Sequence, residues 1–342
     1  MSAAPLTSEV QSVPAIDVHQ HLWTAPLVEA LSRRSEMPFV RFEYGLSVLY
    51  LAGERPYVID LLAEAPERRA ALVERDRLDG ALLCLSSPLG IESLPRAEAL
   101  SLIDAYHDGA LSLGHPFGVW GAVTLDRLDP GDVDCALERG CVGVSLPAGA
   151  LAGVDSLSPL GPLLERLESR RAPLFVHPGP CTPPPANATS LGDPLWWPAL
   201  TRYVSEMHCA WLTFLTAARP AFPELRVVFS MLAGLAPLHA ERLLSRGGPS
   251  LFAPDPLTFY ETSSYGPAAV RALAAAIGGP EQLLYGSDRP IVDPGVHDSQ
   301  DALDPDLLAD GTRRALGPRL PVALGGGALE LGSTFRRAVS SR

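Results

Sequence analysis

Eight short apolar runs, separated by amphipathic stretches, set the tightest limit on what this sequence can fold into. They lie at 15–22, 80–86, 117–125, 141–146, 173–177, 225–231, 258–263 and 282–287. Most are near-continuous in apolar residues and do not alternate, the pattern of parallel strands covered on both faces. Helical patterns fall between and after them, at 67–78, 95–113, 130–139, 160–171, 198–218, 237–246, 267–277 and 304–316. Gly140, Gly247 and Gly278 stand where helix C-caps belong. Eight strand–helix pairs with no second pattern predict an α/β fold, a closed (β/α)8 TIM barrel over residues 15–316. An open doubly wound sheet would want a Gly-x-Gly-x-x-Gly run after the first strand, and His19-Gln-His-Leu-Trp occupies that place.

Three stretches depart from the repeat. Residues 23–59 form a long insertion after strand one, with Arg33, Arg34, Arg41, Arg55 and several aromatics. Residues 178–197 form a Pro-rich loop after strand five that ends in Trp196-Trp197. Both follow strand C-termini, the barrel face that carries active sites, so they are expected as walls of a pocket. Residues 1–14 read as an N-terminal leader, and 317–342 as a loosely held Gly- and Ser-rich tail with a short helix at 328–339.

Composition narrows the function. A net charge of −12 and a pI near 5.1 leave no surface for phosphates, so neither nucleic acid nor an anionic membrane is an expected partner. No apolar run reaches the roughly 18 residues of a membrane span, and the leader has neither the basic nor the apolar part of a secretion signal. Five scattered Cys (84, 135, 141, 181 and 209) without C-x-x-C spacing fit a reduced, cytoplasmic protein. All 27 basic residues are Arg. Without Lys there is no Schiff base, no PLP attachment and no carbamylated lysine to bridge two metals.

Chemistry gathers at the strand ends. Asp17, His19 and His21 share one face of strand one, since side chains alternate with a period of two. Strand five ends in His177, and strand eight runs into Asp288. In a barrel these ends meet at one mouth, where three imidazoles and a carboxylate make a mononuclear site with a position open for water. A divalent ion there brings bound water to hydroxide near neutral pH, and Asp288 is placed to take its proton.

His19-x-His21, His177 and the run Gly286-Ser-Asp-Arg-Pro290 resemble the amidohydrolase superfamily, most closely its amidohydrolase-2 branch of metal-dependent decarboxylases and lactone hydrolases. The resemblance covers residues 15 to about 290 in the same order. It implies a (β/α)8 barrel holding one divalent metal, zinc or in some members manganese, on His19, His21, His177 and Asp288. The pattern breaks at strand six. The family has a His there, in a His-x-Gly-Gly run that activates water or protonates substrate, whereas this chain has Met231-Leu-Ala-Gly234. A thioether does neither job. The C-terminus also lacks the family's Asn-Pro-Ala-Arg-like closing helix.

Substrate contacts are expected from Trp23, Met231, Glu261, Ser263, Trp196 and Arg289, with Arg289 alternatively bracing its own loop. His208 and His239 read as packing residues, and His107, His115 and His297 have no assigned role. The first reading is a metal-dependent hydrolase of a small amide, lactone or ester, with metal-bound water as nucleophile and Asp288 as the catalytic acid–base. The alternatives are a non-oxidative decarboxylase of an aromatic or unsaturated carboxylic acid, and a barrel whose chemistry is altered by Met231. The partner is a small molecule, and the apolar 37–52 stretch is the expected contact of a homodimer.

Overall fold

The computed structural model describes residues 13–182, 193–251, 254–292 and 304–324. Most of the leader, the core of the Pro-rich loop, His297 and the expected helix at 328–339 lie outside these residues. Eight parallel strands build the barrel: β1 (Ile16–Gln20), β5 (Gly80–Leu83), β6 (Phe117–Val119), β7 (Val144–Pro147), β8 (Leu174–His177), β9 (Val227–Phe229), β10 (Thr258–Glu261) and β11 (Leu283–Leu284). They pair in two runs, β1-β5-β6 and β7-β8-β9-β10-β11. Two seams close the cylinder. Gly121 bridges to Val144 on one side, and Gln20 bridges to Arg289 on the other, where Asp288 N also donates to His19 O at 2.8 Å. Gly143 permits the close β7–β8 approach next to the first seam, because a Cβ there would sit 2.2 Å from Pro173 O.

The strands are shorter than the apolar runs that announce them. His19 and His177 stay within β1 and β8 at the mouth. Asp288 turns out of strand eight in the left-handed region, with φ 56°.

Outside the barrel lie α2 (Pro66–Arg75), α3 (Arg96–Leu111), α4 (Gly131–Arg139), α5 (Leu157–Ser169), α7 (Arg202–Thr213), α9 (Ala240–Ser245), α10 (Pro267–Ala276) and α11 (Pro305–Leu316). Short turns α6 (Trp197–Leu200) and α8 (Arg219–Ala221) flank α7, with a π-helical stretch at Phe214–Ala218 between α7 and α8. The helix expected at 198–218 is therefore present but broken, and that expected at 237–246 starts only at Ala240. Val18, Leu82, Trp120, Phe175, Val228 and Phe259 fill the interior of the cylinder, with Trp120 stacked on Phe175 at 5.1 Å. Burying side chains of this size supplies about 2–3 kcal/mol each.

Two expectations need correction. The insertion is not loop but α1 (Ala25–Ser32) followed by an antiparallel meander of β2 (Phe39–Glu43), β3 (Leu46–Tyr50) and β4 (Tyr57–Ile59). Val40, Leu49 and Ile59 are buried while Phe42, Tyr44, Leu46 and Val58 are exposed, so apolar residues occupy both faces and mask the period-two signal. Nor does the folded part stop at 316. Ala315, Leu316, Val322 and Ala323 join the barrel's interior cluster, α12 (Leu320–Ala323) packs on β5 and β6, and Arg319 donates to Cys141 O at 2.6 Å. Residues 317–324 thus belong to the barrel.

Candidate metal centre at the barrel mouth

His19 and His21 emerge side by side from β1, and His177 ends β8 across the mouth. The three rings form a near-equilateral triangle, with centroids 5.0–5.1 Å apart and planes almost perpendicular. Each ring is nearly or wholly inaccessible to solvent. Their outer nitrogens are all spoken for. His19 Nδ1 meets Glu261 Oε2 at 2.9 Å, His21 Nδ1 meets Cys84 O at 2.9 Å, and His177 Nδ1 meets Pro178 O at 2.7 Å. A ring that donates Nδ1–H leaves the Nε2 lone pair free, which is how metal-binding imidazoles are oriented.

The Nε2 atoms and the Asp288 carboxylate face one another. His21 Nε2 is 3.3 Å from His177 Nε2, and Asp288 Oδ1 lies 3.1 Å from His21 Nε2 and 3.4 Å from His19 Nε2. Donors bonded tetrahedrally to a zinc-sized ion at about 2.0–2.1 Å stand about 3.4 Å apart. The spacing therefore fits a single divalent ion. His19 Nε2, fully buried and without a hydrogen-bond partner, is the clearest sign that a ligand belongs there. Asp288 is the only one of the four with an appreciably exposed side chain, at 14%.

The electrostatics agree with a cation site. Burial opposes protonation of His21, yet Cys84 and Asp288 raise its pKa to about 9. His19 is likewise raised against burial, chiefly by Asp288. His177 is held well below its usual value by burial and by its two imidazole neighbours. Burial raises the Cys84 thiol, and the facing imidazoles, His21 first, more than reverse that.

A buried framework holds strand one in place. Asp17 accepts from Gln20 Nε2 at 2.7 Å and Ser287 N at 3.0 Å. Gln20 Oε1 accepts from Arg69 Nη2 at 2.6 Å, and Arg69 also donates to His21 O at 2.9 Å and Glu64 at 2.7 Å. Arg69, on α2, is 2% exposed. Its register against Gln20 is a tertiary fact that periodicity does not carry.

The expected substrate contacts take varied positions. Glu261, fully buried, accepts from His19 Nδ1, Met231 N at 3.2 Å and Ser263 Oγ at 2.8 Å, and from the Ser263 backbone N. Gly286 leaves it room, since a Cβ there would lie 2.2 Å from its carboxylate. Glu261 and Ser263 therefore face a ligand and not the open mouth, in the role of a carboxylate that fixes an imidazole tautomer. Arg289 is committed to Asp76 at 2.6 Å, which is the bracing role. Trp23 is buried against the insertion, its ring 6.1 Å from that of Tyr57, and Trp196 is 56% exposed. Glu54 of the insertion pairs with Arg202 and accepts from Tyr203 OH at 2.5 Å, so the insertion reaches the segment after strand five. His208 Nε2 donates to Gly234 O at 2.6 Å, and its ring packs on His239.

Met231 begins the longest left-handed run among the described residues. Met231, Leu232, Ala233, Gly234 and Leu235 all have φ between 49° and 66°, a left-handed turn of mostly non-Gly residues. Each such L-residue costs roughly 1–2 kcal/mol. The turn leaves the Met231 side chain 8% exposed and its N–H on Glu261. Cys84 was not among the expected site residues. Its Sγ lies 3.5 Å from His21 Nδ1, and one donor atom from each of Cys84, His19, His21 and His177 falls within 4.8 Å of the others. A lone Cys in an apolar run gives no sequence signal of this.

Residues 16–318 match the family model described as Amidohydrolase. Among curated proteins no match is found. Among solved structures, the chain is similar to Metarhizium anisopliae IDCase in apo form, with 18% identity, TM-score 0.66 and coverage of 94% of this chain and 97% of that one. It is also similar to 4-oxalomesaconate hydratase from Rhodopseudomonas palustris (16% identity, TM-score 0.63, 94% and 99% covered). A third is 5-carboxyvanillate decarboxylase from Novosphingobium aromaticivorans with bound manganese and 3-methoxy-4-hydroxy-5-nitrobenzoic acid (18% identity, TM-score 0.57, 75% and 80% covered).

Proposed function

The chain belongs to the amidohydrolase family, in its amidohydrolase-2 branch, and we propose that it is a metal-dependent, non-oxidative decarboxylase of a small aromatic or unsaturated carboxylic acid. The observation that carries this reading is the pairing of Asp288 with Met231. Asp288 is the one ligand-cluster carboxylate open to the mouth, and the second acid–base position is a thioether. Hydrolysis asks for a base toward water and an acid toward the leaving group. Decarboxylation asks for an oriented carboxylate and one proton delivered to carbon, a task for a single group.

His19, His21, His177 and Asp288 would hold the ion, which supplies when bound a fixed positive charge for an anionic substrate and Lewis acidity. Glu261, Cys84 O and Pro178 O keep the three rings aimed. The buried rings exclude bulk water, and Asp288 carries the proton at its carboxylate. Similarity to 5-carboxyvanillate decarboxylase supports the substrate class, and the manganese in that structure makes manganese a candidate beside zinc.

The test uses metal-loaded protein and a panel of aromatic and unsaturated carboxylic acids in deuterated, 18O-labelled water. Release of CO2 with one solvent deuteron on the product carbon is expected. Incorporation of 18O without CO2 would return the assignment to hydrolysis, the reading ranked first from the sequence. Asp288→Asn should lower turnover by about 10²–10⁴-fold, the usual contribution of a general acid.

A further inference from the structure

We propose that Cys84 is a further metal ligand of this chain, its thiolate closing the inward side of the site and biasing it toward a thiophilic ion such as zinc over manganese. The inference rests on the metal centre described above and adds a donor to it. Cys84 follows β5 directly and donates its N–H to Gln20 O at 2.8 Å, which sets it beside His21 across the strand pair. Its side chain points into the cylinder, 2% exposed, among Val18, Phe175, Val228 and Leu284.

That layer is otherwise apolar or aromatic. Sγ lies 3.5 Å from His21 Nδ1, the nitrogen that also meets Cys84 O, and within 4.8 Å of one donor nitrogen on each of the three histidines. His19 Nε2 in the same cluster is buried and makes no hydrogen bond, with Asp288 Oδ1 3.4 Å away. The ion would then have two unlike sides: Asp288 oxygen toward the mouth and Cys84 sulfur toward the barrel. Binding forms a metal–sulfur bond at about 2.3 Å and releases the thiol proton to solvent. Thiolate donors favour zinc and cobalt, whereas oxygen donors suit manganese.

The experiment uses the full chain, stripped by chelation and reloaded with cobalt(II) alone. Visible cobalt bands report the histidine site, and near-ultraviolet thiolate-to-cobalt absorption reports sulfur. Wild type is expected to show both, and Cys84→Ser only the visible bands, with its zinc-over-manganese preference reduced at least tenfold. Visible bands in both proteins with no near-ultraviolet difference would overturn the Cys84 ligand while leaving the histidine site standing. Absence of cobalt uptake in wild type would overturn both. Should Cys84→Ser not fold, X-ray absorption of zinc-loaded wild type decides: a sulfur shell near 2.3 Å supports the proposal, and nitrogen and oxygen alone overturn it.

Discussion

The two sides of the barrel mouth are built on opposite plans. On the β1–β11 side each ligand has a second contact that fixes its orientation: Glu261 for His19, Cys84 O for His21, the His19 carbonyl for the Asp288 backbone. On the β9 side the chain leaves its strand through five left-handed residues and offers an apolar side chain. The contrast explains how the site can lack the strand-six His and keep the grouping of its three imidazoles and Asp288. What β9 contributes to the metal side is the Met231 backbone N–H on Glu261, and that contact does not depend on the side chain. Ligand position and acid–base chemistry are therefore separable here.

The largest expected effect lies on the hydrogen-bonded side. His21→Ala should abolish stoichiometric metal binding, measured as metal content after gel filtration; full occupancy would break the contrast at its root. Glu261→Gln should lower metal affinity by about 10–100-fold, the usual cost of an outer-shell partner, while its fold survives by circular dichroism.

The pH dependence sharpens the same division. His21 is raised from 6.5 to about 9 in the metal-free fold. Its contribution to stability is present in full below the unfolded pKa and is lost as pH rises through about 9. Metal-free protein should thus lose stability between pH 6.5 and 9. Metal affinity should rise over the same window, by about tenfold per pH unit for each proton displaced. A flat affinity profile from titration calorimetry would contradict this. The smallest effect falls on the strained side. Ala233→Gly should be neutral within about 0.5 kcal/mol, because relief of the left-handed backbone offsets the lost methyl group. Ala136→Gly, on the right-handed helix α4, should cost about 1 kcal/mol or more in urea unfolding.

Much of the barrel was legible because buried parallel strands are written as apolar runs. That His19, His21, His177 and Asp288 come together was legible too, since His19 and His21 sit at strand period and His177 and Asp288 end their own runs. What escaped depends on the third dimension. Glu261 reads as a rim residue until β10 is set against β1, and then it is found beneath His19. Cys84 looks like a small apolar residue until β5 lies beside strand one. A left-handed turn of Met, Leu, Ala, Gly and Leu contradicts local preference, and only surrounding contacts, such as that of His208 with Gly234 O, hold it. The meander at 39–59 hid because its outer face is apolar as well.

The plug formed by residues 315–324 has a consequence for biosynthesis. Strand β1 has its second neighbour, β11, almost at the far end of the chain, and the cylinder's floor is made from residues emerging later still. While the ribosome is still working, His19 and His21 wait on a ribbon with one open edge, and Asp288 has yet to be translated. On the proposed assignment, a cation would in that sense mark finished synthesis: it would find its full set of donors only after the polypeptide has been threaded back to its beginning.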